Sequence, residues 1–218
     1  MVNVIGLGYI GLPTALMFAA NGVEVIGTDY NKDLVNSLNM GHTTFKEDGL
    51  DKLFSQAIAA GIKFSTEYQH THTYIISVPT PYDKVSKKID ASYVIEAVKT
   101  AINVCKPNAT IIVESTISPG TIDKQIRPLL KQFHREDIRL AHAPERILPG
   151  NMIYELVHNN RTIGADSNDV AQQIKELYAS FCQGEIVTTD IQTAEMTKVV
   201  ENTFRAVNIA FANELMRV

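Results

Sequence analysis

A glycine-rich turn at the start of the chain constrains its fold more than any other feature. The apolar run Val2–Ile5 leads directly into GLGYIG at residues 6–11, and residues 12–20 have the composition of a helix. In a strand–turn–helix unit, Gly6 permits the tight turn, Gly8 lets a pyrophosphate approach the backbone, and Gly11 lets helix and strand pack closely. Free N–H groups at the helix N-terminus favour phosphate binding. The order of elements therefore predicts a dinucleotide-binding unit.

An acidic residue follows the second predicted strand, which covers residues 23–28. Asp29 lies about 20 residues beyond the glycine turn, where a carboxylate binds the ribose hydroxyls of NAD and repels the 2′-phosphate of NADP. The alternative is a glycine-rich turn followed by an ordinary surface aspartate, but the strand–turn–helix context favours the functional interpretation. We therefore expect NAD to be the cofactor.

Strand-like and helix-like segments alternate along the rest of the chain. The strand-like segments are residues 62–65, 74–78, 109–114, 138–141, 161–164 and 185–188. The helix-like segments are residues 32–40, 50–60, 90–104, 121–133 and 169–181. The polar segment 82–88 is typical of a surface loop. This rhythm predicts an α/β fold of Rossmann type, with a doubly wound, mostly parallel sheet covered on both faces.

A long helix is predicted from Ile191 to the last residue. One apolar stripe at helical spacing consists of Val200, Phe204, Val207, Phe211 and Leu215, and a second of Ile209, Ala212 and Met216. We therefore expect this helix to be buried on several sides. The second stripe continues the face that carries Lys198, Asn202 and Arg205, which form either a solvated surface or part of a site. The chain thus divides into residues 1–190, a Rossmann-like domain, and residues 191–218, a long C-terminal helix.

Composition argues against several classes of function. The net charge of −4, without a basic block, indicates neither a nucleic-acid nor a membrane partner. Cys105 and Cys182 have no metal or redox spacing, so we expect buried reduced thiols and no metal site. The apolar start lacks the basic segment of a signal peptide, and no run of about 18 apolar residues occurs. We therefore expect a cytoplasmic protein.

Three unusual loops follow predicted strands. They are VPTP at residues 78–81, ESTISPG at 114–120 and APERILPG at 143–150. Each alone could be a turn stiffened by proline. Because sheets of this kind bind ligands at the carboxyl ends of their strands, the three loops together mark the expected place of the nicotinamide half of the cofactor.

These motifs resemble those of the UDP-glucose/GDP-mannose dehydrogenase family. The resemblance is carried by GLGYIGLP at Gly6, VPTP at Val78, ESTISPGT at Glu114, APERILPG at Ala143 and TAEMTKVVENTFRAVNIAFANEL at Thr193. They cover essentially the whole chain in the family's order. PERILPG and ENTFRAVNIAFANEL are most similar to the group that acts on UDP-N-acetyl-D-mannosamine. Members that act on UDP-glucose usually have an aromatic residue at the position of Arg146.

The resemblance implies a four-electron oxidation of the sugar's C6 alcohol to a carboxylate, with two NAD⁺ and a cysteine thiol as nucleophile. It implies that NAD is contacted by Gly6, Gly8, Tyr9, Ile10, Gly11, Asp29, Thr80 and Thr116. It implies catalytic roles for Glu145, Lys198, Asn202 and Thr116, with Glu145 acting as base toward water and Lys198 stabilising developing oxyanions. It implies nucleotide-sugar contacts by Arg146, Ile147, Lys198, Asn202 and Arg205.

One departure from the family concerns its nucleophile. The family's cysteine lies in a GGHC-type motif, and neither Cys105 nor Cys182 stands in one. We therefore expect an N-terminal NAD-binding half, truncated within an interdomain helix before the UDP-binding domain, inactive alone and homodimeric through residues 191–218.

Four alternatives to this interpretation remain. The half could belong to a UDP-glucose or a UDP-N-acetylglucosamine 6-dehydrogenase, or it could be a non-catalytic NAD-binding fragment. A short-chain two-electron dehydrogenase has less support, because Tyr178 is followed four residues later by Cys182 and not by lysine.

Overall fold

The computed structural model describes residues 1–85, 87–147 and 150–217. The strands are β1 (Val2–Ile5), β2 (Val25–Thr28), β3 (Lys63–Ser65), β4 (Thr73–Ile76), β5 (Tyr82–Asp83), β6 (Lys88–Ile89), β7 (Thr110–Val113), β8 (Arg139–His142), β9 (Arg161–Ala165) and β10 (Ile186–Thr189). Eight of these form one sheet in the order β10-β9-β8-β7-β4-β1-β2-β3. The chain therefore has the Rossmann-like, mostly parallel sheet that the sequence predicts.

Helices cover both faces of this sheet. They are α1 (Gly11–Ala20), α2 (Lys32–Asn39), α3 (Leu50–Ala59), α4 (Ser92–Val104), α5 (Arg127–Gln132), α6 (Met152–His158), α7 (Asn168–Tyr178) and α8 (Ile191–Leu215), and a π-helical turn at Ile122–Ile126 precedes α5. The core on one face includes Leu16 of α1 and Tyr178 of α7. The core on the other includes Ile102 of α4 and Ile126 of the π-helical turn. Burial on both faces explains why the central strands are almost wholly apolar.

Two strands at one end of the sheet run in the opposite direction to the others. β9 pairs antiparallel with β8, and β10 pairs parallel with β9. The chain therefore leaves β10 at the edge opposite to the carboxyl ends of β1, β4, β7 and β8. Helix α8 starts there and packs along β9. It consequently runs back toward the ligand-binding edge of the sheet.

The expectation that α8 is buried on several sides is wrong. Ile191, Ala194 and Glu195 are buried, whereas Val200 is 55% and Phe204 72% exposed. A 25-residue helix is about 37 Å long, roughly twice the length of a five-residue strand. The helix therefore extends beyond the sheet, and its second half has no surface of this domain to pack against. Val218, the last residue of the predicted helix, lies outside the described residues.

Two further segments differ from the sequence-based expectation. The predicted loop 82–88 carries β5 and β6, which pair as a short antiparallel hairpin; Ser86 within it lies outside the described residues. Helix α6 was not predicted, because its seven residues are too few for a clear periodic pattern.

Candidate functional site

The three glycines of the first turn have different structural roles. Gly6 has a φ of +90°, and a Cβ there would lie 2.4 Å from the carbonyl oxygen of Ser77. A Cβ on Gly11 would lie 1.9 Å from the carbonyl oxygen of Gly6. A Cβ on Gly8 would meet nothing within 4 Å. The fold itself thus requires Gly6 and Gly11, whereas the open surface at Gly8 leaves room for a ligand.

Asp29 joins the glycine turn to the end of β2. Its Oδ2 accepts a 2.8 Å hydrogen bond from the backbone N–H of Leu7, and its Oδ1 accepts one of 2.9 Å from Asn31. Asp29 also lines a cavity of about 260 Å³ together with Gly6 and Tyr68. Burial, and then the nearby Asp29 carboxylate, raise the pKa of Tyr68. This cavity lies where the adenosine half of a dinucleotide would be held at the switch point of the sheet.

The three loops that follow β4, β7 and β8 meet at a second cavity, of about 320 Å³. It is lined by Gly8, Tyr9, Ile10, Ser77, Val78, Pro79, Thr80, Glu114, Ser115, Thr116, Glu145, Ile147 and Lys198. The backbone N–H of Val78 donates to Ser115 Oγ at 2.9 Å, which fastens the first loop to the second. Most of the residues predicted to contact the nicotinamide half or to act in catalysis therefore surround one space.

Glu145 is held firmly in the third loop. Its Oε1 accepts hydrogen bonds from the backbone N–H groups of Arg146, at 2.5 Å, and Ile147, at 3.1 Å. Its Oε2 accepts one from Nη2 of Arg161, the first residue of β9. Residues 148 and 149 of the predicted loop lie outside the described residues.

Behind Glu145 lies a buried cluster that the sequence analysis did not predict. Nη1 of Arg161 lies 3.4 Å from Oε1 of Glu114, and the guanidinium carbon lies 4.3 Å from the centre of the Tyr178 ring. Tyr178 and Thr14 donate hydroxyl hydrogen bonds of 3.2 and 3.4 Å to the same oxygen of Glu114. The available signal was an acidic residue directly after the mostly apolar strand β7, but nothing local identifies its partners.

Helix α8 brings Lys198 to this cavity. One turn earlier, Glu195 accepts hydrogen bonds from the backbone N–H groups of Gly120, at 2.5 Å, and Ile122, at 3.0 Å, so the helix is fastened to the end of the second loop. Lys198 is half-buried. Desolvation lowers the pKa of Lys198, and the charge of Glu145 opposes that shift. A desolvated ammonium beside a carboxylate is suited to stabilising negative charge that develops nearby.

The residues predicted to bind the sugar nucleotide do not all share this cavity. Arg146 and Arg205 line a third space, of about 860 Å³, between α6 and α8. There Nη2 of Arg146 lies 2.5 Å from Oε1 of Glu201. Asn202 is exposed and lines none of these three cavities. The predicted substrate set is thus divided, with Ile147 and Lys198 at the second cavity.

The described ranges (residues 1–85, 87–147 and 150–217) also bear on metal binding and on membrane insertion. No group of three or more His, Cys, Asp or Glu side chains there could hold a metal ion. Cys105 and Cys182 are free and buried. Among the same residues, no helix has both the length and the apolar character needed to cross a membrane.

Comparison with known proteins gives consistent matches along the chain. Residues 1–182 match the profile described as UDP-glucose/GDP-mannose dehydrogenase family, NAD binding domain, and residues 192–218 match its central domain. The UDP-N-acetyl-D-mannosamine dehydrogenase of Methanococcus aeolicus is 46% identical over 220 residues, which are 100% of this chain and 50% of that protein. The NDP-N-acetyl-D-galactosaminuronic acid dehydrogenase of Ralstonia nicotianae is 40% identical, across 100% of this chain and 54% of that protein.

Solved structures give the same result. The native UDP-N-acetyl-mannosamine dehydrogenase Cap5O of Staphylococcus aureus superposes with a TM-score of 0.91 at 44% identity, covering 98% of this chain and 53% of that one. The chain spans about half the length of the curated relatives it matches.

Proposed function

The chain belongs to the UDP-glucose/GDP-mannose dehydrogenase family and contains its NAD-binding domain, and from that premise we propose a role in oxidising UDP-N-acetyl-D-mannosamine. In this role the chain is the N-terminal half of a 6-dehydrogenase that converts the C6 alcohol to a carboxylate with two NAD⁺. The observation that carries the proposal is the cavity where Thr116, Glu145 and Lys198 meet the glycine turn.

The described residues fit the cofactor. Gly8 leaves an open approach to the backbone at the N-terminus of α1, which suits a pyrophosphate. The Asp29 carboxylate lines the neighbouring cavity and disfavours a 2′-phosphate. When bound, NAD⁺ supplies the hydride acceptor. The residues of the second cavity then orient the reacting carbon beside it.

Two charged residues supply the chemistry that this chain contributes. Lys198 stabilises negative charge on the sugar's C6 oxygen, and Glu145 acts as base toward the water that releases the carboxylate product. Arg161 and two backbone N–H groups keep Glu145 in one position for this role. Asn202 and Arg205, on the exposed half of α8, contribute to sugar-nucleotide binding.

Calorimetric titration of the 218-residue chain tests the cofactor assignment. We expect NAD⁺ to bind and NADP⁺ to bind at least about tenfold more weakly, a difference of about 1.4 kcal/mol. Equal or tighter binding of NADP⁺ would contradict the assignment.

A second test concerns turnover. No GGHC-type thiol motif occurs in the 218 residues, so we propose that they do not complete the oxidation by themselves. NADH formation should be followed continuously at high protein concentration with UDP-N-acetyl-D-mannosamine. Sustained release of two NADH per sugar would refute this part of the proposal. The same assay with UDP-glucose, and with UDP-N-acetylglucosamine, compares the alternative substrates.

We also propose that the chain forms a homodimer through α8. The helix exposes large apolar side chains along its second half, including Phe204, Val207 and Phe211 at 61–72%. Apolar surface of this extent favours association. Two-fold pairing of the helices would cover it.

A further inference from the structure

The cluster around Arg161 contains more negative charge than its guanidinium balances. Arg161 contacts both Glu114 and Glu145, and the three residues are 4%, 2% and 7% exposed, respectively. With both carboxylates ionised, these three side chains would carry a net charge of −1, and Lys198, which lines the same cavity, offsets part of it from the Glu145 side. Burial of an uncompensated charge is costly, and a protein commonly avoids that cost by keeping one group neutral.

The hydrogen bonds show which carboxyl group is the neutral one. Glu145 accepts two backbone N–H bonds and one from Arg161, and donors of this kind favour the ionised form. Glu114 receives longer contacts of 3.2 to 3.4 Å, all on Oε1. Its Oε2 is buried and has no hydrogen-bond partner among the described residues. These contacts favour Glu114 as the protonated member of the pair.

The environment of Glu114 supports this assignment. Its neighbours are Thr14 on α1, Tyr178 on α7, Arg161 on β9 and Glu145 after β8. Burial raises the pKa of Glu114 to about 7, and the charge of Glu145 adds to that shift while Arg161 opposes it. At mildly acidic pH the guanidinium then faces one carboxylate, and Lys198 of α8 lies on the cavity side of Glu145.

We propose that Glu114 is a positioning residue. Its protonation determines whether Arg161 binds mainly to Glu145 or is shared between the two carboxylates. While Glu114 is protonated, the guanidinium donates its hydrogen bond to Glu145 at full strength. Glu145 in turn holds the backbone N–H groups of Arg146 and Ile147 in place. When that proton leaves to solvent, two carboxylates share the guanidinium and the loop loosens. The consequence for turnover rests on the proposed function, whereas the arrangement of charges does not.

Nuclear magnetic resonance of the 218-residue chain tests this coupling directly. The carboxyl carbon of Glu114 and the amide N–H signals of Arg146 and Ile147 are followed between about pH 5 and about pH 9. We expect the carboxyl carbon to titrate with a midpoint of about 7. Both amides should shift with the same midpoint, because they donate to Glu145. In Glu114→Gln, which mimics the protonated form, their shared transition should disappear.

A matched pair of tyrosine variants provides the control. Tyr178→Phe removes a hydroxyl that donates to Glu114, and this should move the Glu114 midpoint upward. Tyr9→Phe makes the same chemical change at a hydroxyl that instead contacts Glu47, and it should leave the midpoint unchanged. These two variants test the assignment even if Glu114→Gln does not fold.

Three results would overturn the proposal. They are a Glu114 midpoint near the ordinary glutamate value of about 4.3, amides that do not follow the Glu114 transition, and equal shifts in the two tyrosine variants. Calorimetry with NAD⁺ below pH 7 separates this inference from the proposed function. Absence of NAD binding would contradict the function and leave the proton assignment of the cluster intact.

Discussion

Alanine substitution at Gly8 separates the requirements of the cofactor from those of the fold. A Cβ at this exposed position meets no atom within 4 Å, so we expect the free energy of unfolding to change by less than about 0.5 kcal/mol. The methyl group would nevertheless occupy the surface where a pyrophosphate approaches the backbone. Loss of one charge-assisted hydrogen bond costs about 1.5 to 3 kcal/mol, which weakens NAD⁺ binding about tenfold to about a hundredfold. Calorimetry gives the dissociation constant, and urea unfolding gives the stability.

Gly11→Ala is the matched control, because it makes the same chemical change three residues later. Its Cβ would lie 1.9 Å from the carbonyl oxygen of Gly6, so strand and helix must separate. We expect a loss of at least about 1 to 3 kcal/mol of stability, typical of overpacking. Two results would refute the reasoning: Gly8→Ala binding NAD⁺ as tightly as the unchanged chain, or Gly8→Ala being destabilised as much as Gly11→Ala.

Three further predictions concern other parts of the molecule. Asp29→Asn keeps an acceptor for the glycine turn and removes the charge, so the calorimetric preference for NAD⁺ over NADP⁺ should fall. Burial lowers the pKa of His142 to about 4. The unfolded chain therefore binds more protons between about pH 6.5 and about pH 4, and stability falls by about 3 kcal/mol as the pH drops through that window. In His142→Asn, urea titrations should lack this loss. Light scattering should show a dimer of the unchanged chain and monomers of Phe211→Asp. Pairing through α8 would be contradicted by a monomer at all concentrations, or by a dimer that survives the substitution.

Local rules were sufficient to predict most of the sheet. The glycine turn and the apolar strands β1, β4 and β7 each carry signals within a few residues, and the structure has strands at all three places. The reversed direction of β9 carries no such signal, since a short buried strand has the same composition in either orientation. Its direction depends on the connection through α6, which the sequence analysis missed.

The exposed half of α8 shows a different limit of sequence reasoning. Its apolar stripes show which side chains tend to be buried. Periodicity does not show which surface they pack against. The described domain covers only the first turns. The apolar residues from Val200 onward are not covered by this domain. The same pattern that predicts burial therefore supports a prediction of association.

The buried cluster shows why the electrostatic surroundings of Glu145 could not be predicted from the sequence. Glu145 and Lys198 were predicted by their motifs, whereas Arg161 lies 47 residues beyond Glu114 and no spacing rule connects them. Only the antiparallel placement of β9 next to β8 brings the guanidinium behind the loop that carries Glu145. The antiparallel strand β9 therefore supplies the cation, Arg161, that contacts Glu145 in the loop after β8. A substitution at Arg161 or at Glu114 should consequently change how firmly Glu145 is held in its loop.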